Sequence, residues 1–313
     1  MPPIAVLMPN WIGDLLLALS VAELKTHAEQ CDLSLIVPER LIGLTKLLSD
    51  LPIITYRRSN RTDYFASVRS IKRFSKLYIL PHSFSSALFA FLGRVPIRRG
   101  VSGELRGFLL TQRLPASAAE RTRHLTREYS EVLETEFADP SLWKGKTIEP
   151  SKEYERFVVL CPGAAYGPAK QWPYFDRLVA LLPDKKFVIL GDHRDAAVGL
   201  QIAETAAQRV TNLAGATSLE QAARIIAAAS VLISNDSGLL HLAGFLGTPC
   251  VGMYGSTSSV WTRPLGTAVR IATGSCPRSP CFERTCPLPL NKYSCLRTIS
   301  PETVAVLVKE IIR

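Results

Sequence analysis

Two periods of apolar residues alternate along this chain from its first strand-length run. "IAVLMP" (residues 4–9) is continuous and short, as a buried strand is, and "GDLLLALSVAELKTHA" (13–28) then spaces its apolar residues as a helix does. "LSLIVP" (33–38), "IITY" (53–56) and "KLYILP" (76–81) predict further strands, and "SSALFAFLG" (85–93) a helix. Residues 94–124 show no clear period and are expected to be irregular, before "LTREYSEVLETEF" (125–137) resumes as an amphipathic helix. The polar, turn-rich stretch "ADPSLWKGKTIEPSKEYE" (138–155) interrupts the pattern and reads as a linker.

The second half repeats the alternation. "RFVVLCPG" (156–163), "KFVILGD" (186–192), "VTNLAG" (210–215), "VLISND" (231–236) and "PCVGMYG" (249–255) read as strands. Between them "WPYFDRLVALLP" (172–183), "AAVGLQIAETAAQ" (196–208), "SLEQAARIIAAAS" (218–230) and "SGLLHLAGFLG" (237–247) read as helices. Ser218 is placed to cap one of them, Gly247 to end another, and Ser300–Pro301 to open the last. Two βα-alternating halves imply an α/β protein of two parallel-sheet domains facing each other across a cleft. We set the domains at 1–150 and 151–313, with the last helix free to pack back on the first domain.

At 313 residues and 47% hydrophobic, the chain is long and apolar enough for two packed cores. Its apolar runs are too short to span a bilayer. The N-terminus lacks a basic start, and Asp14 breaks its apolar run, so it reads as strand, loop and helix rather than as an export signal. A cytoplasmic location is the resulting expectation.

Charge is unevenly placed. The net charge is +10, yet residues 1–56 carry three Lys/Arg against six Asp/Glu, and residues 57–127 carry fifteen against three. A field of that sign attracts phosphates, nucleic acid or an anionic membrane surface. Nucleic acid is the poorer fit, because the basic segment lacks the interleaved aromatics of a stacking platform.

Seven cysteines without an export signal argue against a disulfide framework. Cys31, Cys161 and Cys250 sit in apolar or helix-end contexts and read as core thiols. Cys276, Cys281, Cys286 and Cys295 crowd into twenty residues, but their spacing is not the paired C-x-x-C of a zinc ribbon, so a loop of free thiols, or one bridge, is expected rather than a metal site.

Ligands of parallel-sheet domains gather beyond the carboxyl ends of the strands. Three such places carry chemistry. In "NDSG" (235–238) the free N–H groups of a helix N-terminus, the Ser237 hydroxyl and the bare backbone of Gly238 make a cradle for phosphate, with His241 one turn on. Asp236 would oppose an anion there unless it caps the helix or points at a sugar hydroxyl. In "CPGAAYGPAKQWP" (161–173), Gly163, Gly167 and Pro168 make a loop that carries Lys170, a point charge suited to a diphosphate. In "PNWIGDLLLA" (9–18), Gly13 is expected to turn the chain and Asp14 to open the helix, as its cap or as a general base. The chain contains no G-x-G-x-x-G, G-x-S-x-G or H-E-x-x-H.

"PNWIGDLLLALSVAELK", "CPGAAYGPAKQWPYFDRLVALL" and "SNDSGLLHLAGFLGTPCVGMYGSTSSVWTRP" together resemble the ADP-heptose–lipopolysaccharide heptosyltransferases, glycosyltransferase family 9, and "GPAKQWP" most resembles the heptosyltransferase II branch. The resemblance implies a GT-B fold, with acceptor on the N-terminal half and nucleotide-sugar on the C-terminal half. It implies inverting, metal-independent transfer of L-glycero-D-manno-heptose from ADP-heptose, a substrate rather than a cofactor, to the lipid A–Kdo inner core at the cytoplasmic face of the inner membrane. By position it implies that Asp14 is the catalytic base and Lys170 the diphosphate lysine. Asp236, Ser237, Gly238 and His241 match the family's D-[TS]-G-x-x-H donor motif. Asp195 falls at the ribose contact, with Asp192 as the alternative, and Thr217 falls near the adenine. Ala165 and Tyr166 replace hydroxyl residues found in one branch of the family. Arg57, Arg58, Arg61, Arg98, Arg99 and Arg106 would face the anionic acceptor. The rival readings are a related transferase using another nucleotide-sugar, and an inactive scaffold on the membrane surface.

Overall fold

The computed structural model describes residues 2–119 and 121–312. The chain divides into two compact units, Met1–Asp139 and Pro140–Arg313.

The first unit runs β1 (Ile4–Leu7), α1 (Ile12–Glu29), β2 (Leu33–Pro38), α2 (Ile42–Leu48), β3 (Ile53–Tyr56), α3 (Arg61–Ser70), β4 (Lys76–Ile79), α4 (Phe84–Leu92), β5 (Ile97–Val101), β6 (Gln112–Leu114) and α5 (Leu125–Leu133). Its strands lie in the order β3-β2-β1-β4-β5-β6, every neighbouring pair parallel. Helices cover both faces, so the inner strands lose their alternation, and β2 is buried at each of its six positions. The segment expected to be irregular contributes β5 and β6. Two arginines and a glycine in "IRRGV" conceal a strand whose charged ends find partners only in the folded unit.

The second unit runs β7 (Val158–Cys161), α6 (Phe175–Leu181), β8 (Phe187–Ile189), α7 (Ala196–Glu204), β9 (Val210–Asn212), α8 (Leu219–Ala228), β10 (Val231–Asn235), α9 (Gly238–Leu246), β11 (Cys250–Tyr254), α10 (Ser259–Thr262), β12 (Val269–Thr273), α11 (Ser294–Arg297) and α12 (Pro301–Ile311). The order β12-β11-β10-β7-β8-β9 is again all parallel, and it is the same doubly wound topology. Ser218 caps α8 in a full capping box with Gln221, and Gly247 ends α9 at φ 79°.

The supposed linker is part of the second unit. Trp143 Nε1 donates to Phe245 O at 2.8 Å, the Lys146 amide donates to the same carbonyl at 2.9 Å, and the Gly266 amide reaches Pro140 O at 2.9 Å. A Cβ on Gly145 would lie 2.8 Å from the Gly247 Cα, so two backbones touch where a side chain has no room. The compact division therefore falls at 139/140, ahead of the boundary drawn at 150. The last helix, considered free to return to the first domain, buries Val304, Ala305 and Val308 in the second core beside Leu178 and Val179 of α6.

Among the described residues, no helix is long and apolar enough to cross a membrane.

Candidate active site

In each unit the strand order reverses direction between its first and fourth strands, β1/β4 in one and β7/β10 in the other. Crossovers leave that point on opposite faces of the sheet, opening a crevice at the carboxyl ends of the two strands. Asp14 follows β1, Lys170 follows β7, and Asp236 to His241 follow β10, so these predicted residues come from strands at the two points.

In the second unit the loop after β7 and the turn after β10 are stitched together by Asn235. Its Oδ1 accepts from the Trp172 amide at 2.9 Å, and its Nδ2 donates to Pro162 O at 2.6 Å. Trp172 is locked in turn, its Nε1 donating to Ile299 O at 2.9 Å. This frame brings Lys170 onto Asp236, with Nζ 2.6 Å from Oδ2. The Thr257 hydroxyl, from the loop after β11, donates to the same oxygen at 2.6 Å, and His241 Nε2 stands 3.8 Å from Oδ1. Burial alone would raise the Asp236 pKa, but the His241 ring and the Lys170 ammonium overcome it and hold the carboxyl well below the usual range.

Asp236 is thus not the helix cap, a place Ser237 takes; it anchors the lysine. Ser237 is the N-cap residue of α9, but its side chain does not cap. Its Oγ lies 2.9 Å from Ser234 Oγ instead. Gly238 is the first residue of α9, so the positive end of the helix dipole points into the same crevice as Lys170.

Asp195 occupies the corner between the ends of β7 and β8. A Cβ on Gly163 would lie 2.1 Å from its carboxyl, and one on Gly191 would lie 2.6 Å from Oδ2, so both glycines are needed for the acid to sit there. The Asp192 amide donates to Asp195 Oδ2 at 2.9 Å, and desolvation raises the Asp195 pKa. Asp192 itself is exposed and bound to Arg194, whose hydrogen bond depresses its pKa. Of the two acids, the geometry sets Asp195 at the crevice. Thr217 is half-buried in the turn that leads into α8.

In the first unit Asp14 is half-buried in the first turn of α1. It is not the cap expected of it: Trp11 holds the N-cap position, and Gly13 lies inside the helix rather than in a turn before it. The negative field of Asp14 reaches Tyr129 of α5, where burial first, then Asp14 and Glu128, push the phenol pKa far up. His82, just beyond β4, pairs through Nε2 with the buried Glu128 Oε1 at 2.5 Å. That pair was not legible in the sequence, because the two residues are 46 positions apart.

The six arginines separate into two groups. Arg106 is 1% exposed; its Nε and Nη2 donate to Val101 O at 2.9 and 2.6 Å, its Nη1 to Pro81 O and to Ser86 Oγ. Burial lowers its pKa to about 10. Arg98 donates to Leu109 O and Val95 O, and Arg99 to Val132 O and Glu131 O. These three guanidiniums tie the β5 region together, which corrects their expected role towards an acceptor. Arg57, paired with Glu39 at 2.7 Å, Arg58 against the Tyr56 ring, and Arg61 at the start of α3 keep the exposure such a role needs.

All seven cysteines are free thiols. Cys161 and Cys250 are core residues as expected, whereas Cys31 is half-buried at the end of its helix. Cys295 is buried, and desolvation, reinforced by the negative fields of Cys276, Cys281 and Cys286, raises its pKa to about 11. Among the described residues no three His, Cys, Asp or Glu side chains are placed to hold a metal ion.

Two doubly wound parallel-sheet units, one of them carrying a lysine–carboxylate pair at a helix N-terminus, make this an α/β protein of two Rossmann-like units. Residues 66–292 match the model of "Glycosyltransferase family 9 (heptosyltransferase)". Lipopolysaccharide heptosyltransferase 2 of Escherichia coli K12 is 32% identical over 306 residues, covering 86% of this chain and 87% of the relative. The solved structure of E. coli ADP-heptose lps heptosyltransferase II superposes with a TM-score of 0.80 at 26% identity, covering 99% of this chain and 98% of that one. E. coli heptosyltransferase WaaC, solved with ADP-2-deoxy-2-fluoro heptose, shares the fold, with a TM-score of 0.72 at 17% identity and 98% and 99% coverage. The chain belongs to glycosyltransferase family 9, the heptosyltransferases.

Proposed function

We propose that this glycosyltransferase moves L-glycero-D-manno-heptose from ADP-heptose onto the lipid A–Kdo inner core of lipopolysaccharide, as a heptosyltransferase of the II type. The reading is carried by the Lys170–Asp236 pair at the N-terminus of α9, in a chain about one-third identical to a heptosyltransferase 2. Departure of ADP leaves a cationic, oxocarbenium-like heptosyl group and an anionic leaving group. Lys170 and the first-turn N–H groups of α9 stabilise the developing charge on the diphosphate, and Asp236 fixes the ammonium in place beforehand. Asp195 binds the ribose and Thr217 lies by the adenine. Asp14 takes the proton of the acceptor hydroxyl as it attacks the anomeric carbon with inversion. The side chains supply charge stabilisation and base without a cofactor.

Arg57, Arg58 and Arg61 belong to the acceptor side of this reading. Their charge suits a phosphorylated, carboxylate-bearing core and an anionic leaflet, so the enzyme works as a peripheral protein on the cytoplasmic face of the inner membrane. The test is to incubate the purified protein with a panel of nucleotide-sugars and core-truncated lipopolysaccharides, following the product by mass. Heptose addition from ADP-heptose alone is the expected result. Transfer of another sugar from another nucleotide would replace the substrate assignment while leaving the family intact.

A further inference from the structure

The diphosphate site as built on Lys170 lacks charge. Lys170 is paired at 2.6 Å with Asp236, so the two cancel, and the half-buried Asp195 adds a further acid nearby. A nucleoside diphosphate-sugar brings negative charge on both phosphates, and a cancelled pair offers it oriented N–H donors but little net attraction. A second cation stands close by. Lys170 Nζ lies 4.9 Å from the centroid of the Tyr166 ring, and the guanidinium carbon of Arg284 lies 5.1 Å from that same centroid. Both are within cation–π range of the one ring.

Arg284 comes from the cysteine-rich segment that the sequence singled out and the proposed reaction leaves unused. That segment is fastened beside the site. The Phe282 amide donates to Ser256 O at 2.7 Å, Ser279 Oγ donates to Gly255 O at 2.5 Å, and the Tyr166 hydroxyl donates to Phe282 O. Trp261 meets the Phe282 ring edge-on at 5.9 Å. Gly255 is what lets the segment close down: a Cβ there would be 2.7 Å from Leu296 Cγ and 3.1 Å from Cys295 Sγ. The Ser256 and Gly255 carbonyls that hold the segment immediately precede Thr257, whose hydroxyl is on Asp236. The segment is therefore registered to the same turn as the ion pair. Arg284 remains exposed two residues after the anchored Phe282.

We propose that Arg284 is a second ligand of the donor diphosphate, delivered by residues 276–295 and held over the site by the Tyr166 ring. Arg284 then supplies the uncompensated positive charge, and its planar fork suits bidentate contact to phosphate oxygens. Tyr166 acts as the stacking platform and hydroxyl anchor. The proposal rests on the reading of Lys170 as a diphosphate ligand.

The experiment is calorimetric titration of the full chain and its variants Arg284→Ala, Arg284→Lys and Lys170→Met with ADP and with adenosine. Circular dichroism checks that each variant is folded, which the exposure of Arg284 favours. Arg284→Ala should weaken ADP about 10- to 100-fold, the scale of one charge-assisted contact, and leave adenosine unchanged. Arg284→Lys should recover part of the loss, because it restores charge without the fork. Unaltered ADP affinity in Arg284→Ala, with a loss in Lys170→Met, would remove Arg284 from the site while keeping the donor reading. Equal losses for ADP and adenosine in Arg284→Ala would make it a prop of the segment, and would also overturn the proposal. ADP affinity indifferent to both residues would sink the diphosphate site as a whole.

Discussion

Severing the Lys170–Asp236 pair should destabilise the second unit, and from either side. The ammonium side chain is 16% exposed and the carboxylate 6%, so this pair belongs with interior rather than surface ion pairs. At 2.6 Å and an effective dielectric of 20, the gross attraction is about 6 kcal/mol, largely offset by the desolvation of both groups. What matters is the group left behind. Lys170→Met strands a buried carboxylate without its one full cationic partner, though Thr257 and His241 stay beside it, and should cost about 3 kcal/mol, the lower end of the range for broken buried pairs. Asp236→Asn leaves an ammonium that can turn towards solvent, and should cost about 1–2 kcal/mol. The double variant should be more stable than the sum predicts by at least about 1 kcal/mol. Because the chain has two compact units, one global melting curve would mix them. Native-state hydrogen exchange of the β7 and β10 amides reads the second unit alone. The depressed pKa fixes the pH dependence. The contribution of Asp236 is complete above its unfolded pKa of about 3.9 and is lost as pH falls through the lower folded value. The gap between the native protein and Asp236→Asn should therefore be full at neutral pH and close only in strong acid. Additive single effects, or a gap that closes near pH 6, would refute this account.

Asp14→Asn should lower turnover by about 10²–10⁴ while ADP binding and the fold are kept; near-native turnover would return Asp14 to a purely structural role. Neutralising Arg57, Arg58 and Arg61 together should raise the acceptor KM and weaken liposome binding, more so at low salt, with ADP affinity as the unaffected control. Arg106→Met should instead destabilise the first unit by about 3 kcal/mol through the stranded Val101 and Pro81 carbonyls, detectable as lost exchange protection in β4 and β5. Gly163→Ala should weaken ADP and adenosine alike in titration, because the new methyl displaces the Asp195 carboxyl. Metal analysis of anaerobically purified protein should find zinc and iron well below one per chain; one equivalent of either would mean that the four thiols converge in solution.

Local pattern determined a large share of this molecule. Apolar runs of strand length, alternating with helical spacing, were enough for two parallel-sheet units, because a strand covered on both faces must be apolar throughout. Ser218, Gly247 and Ser300–Pro301 announced helix ends, since a cap depends on neighbours within one turn. Strand-end polar residues such as Lys170, Asp236 and Asp14 stood out for the same reason. Partnership was beyond the reach of the sequence. Fifteen basic residues between 57 and 127 look alike on the page, yet Arg106 is sealed among backbone carbonyls while Arg61 is exposed, and only the path of β5 and α5 decides which. "IRRGV" hid a strand because its charges are satisfied in large part by residues over ten positions away. The linker-like stretch proved to be packed because Gly145 meets Gly247, a contact between backbones that no periodicity records. Asp236, which looked misplaced beside an anion site, found its reason in a lysine 66 residues earlier. Propensity and period act over a few residues and can be read in one dimension. Charge pairing and close packing act across the sheet, and they exist only once the crossovers have set β7 beside β10.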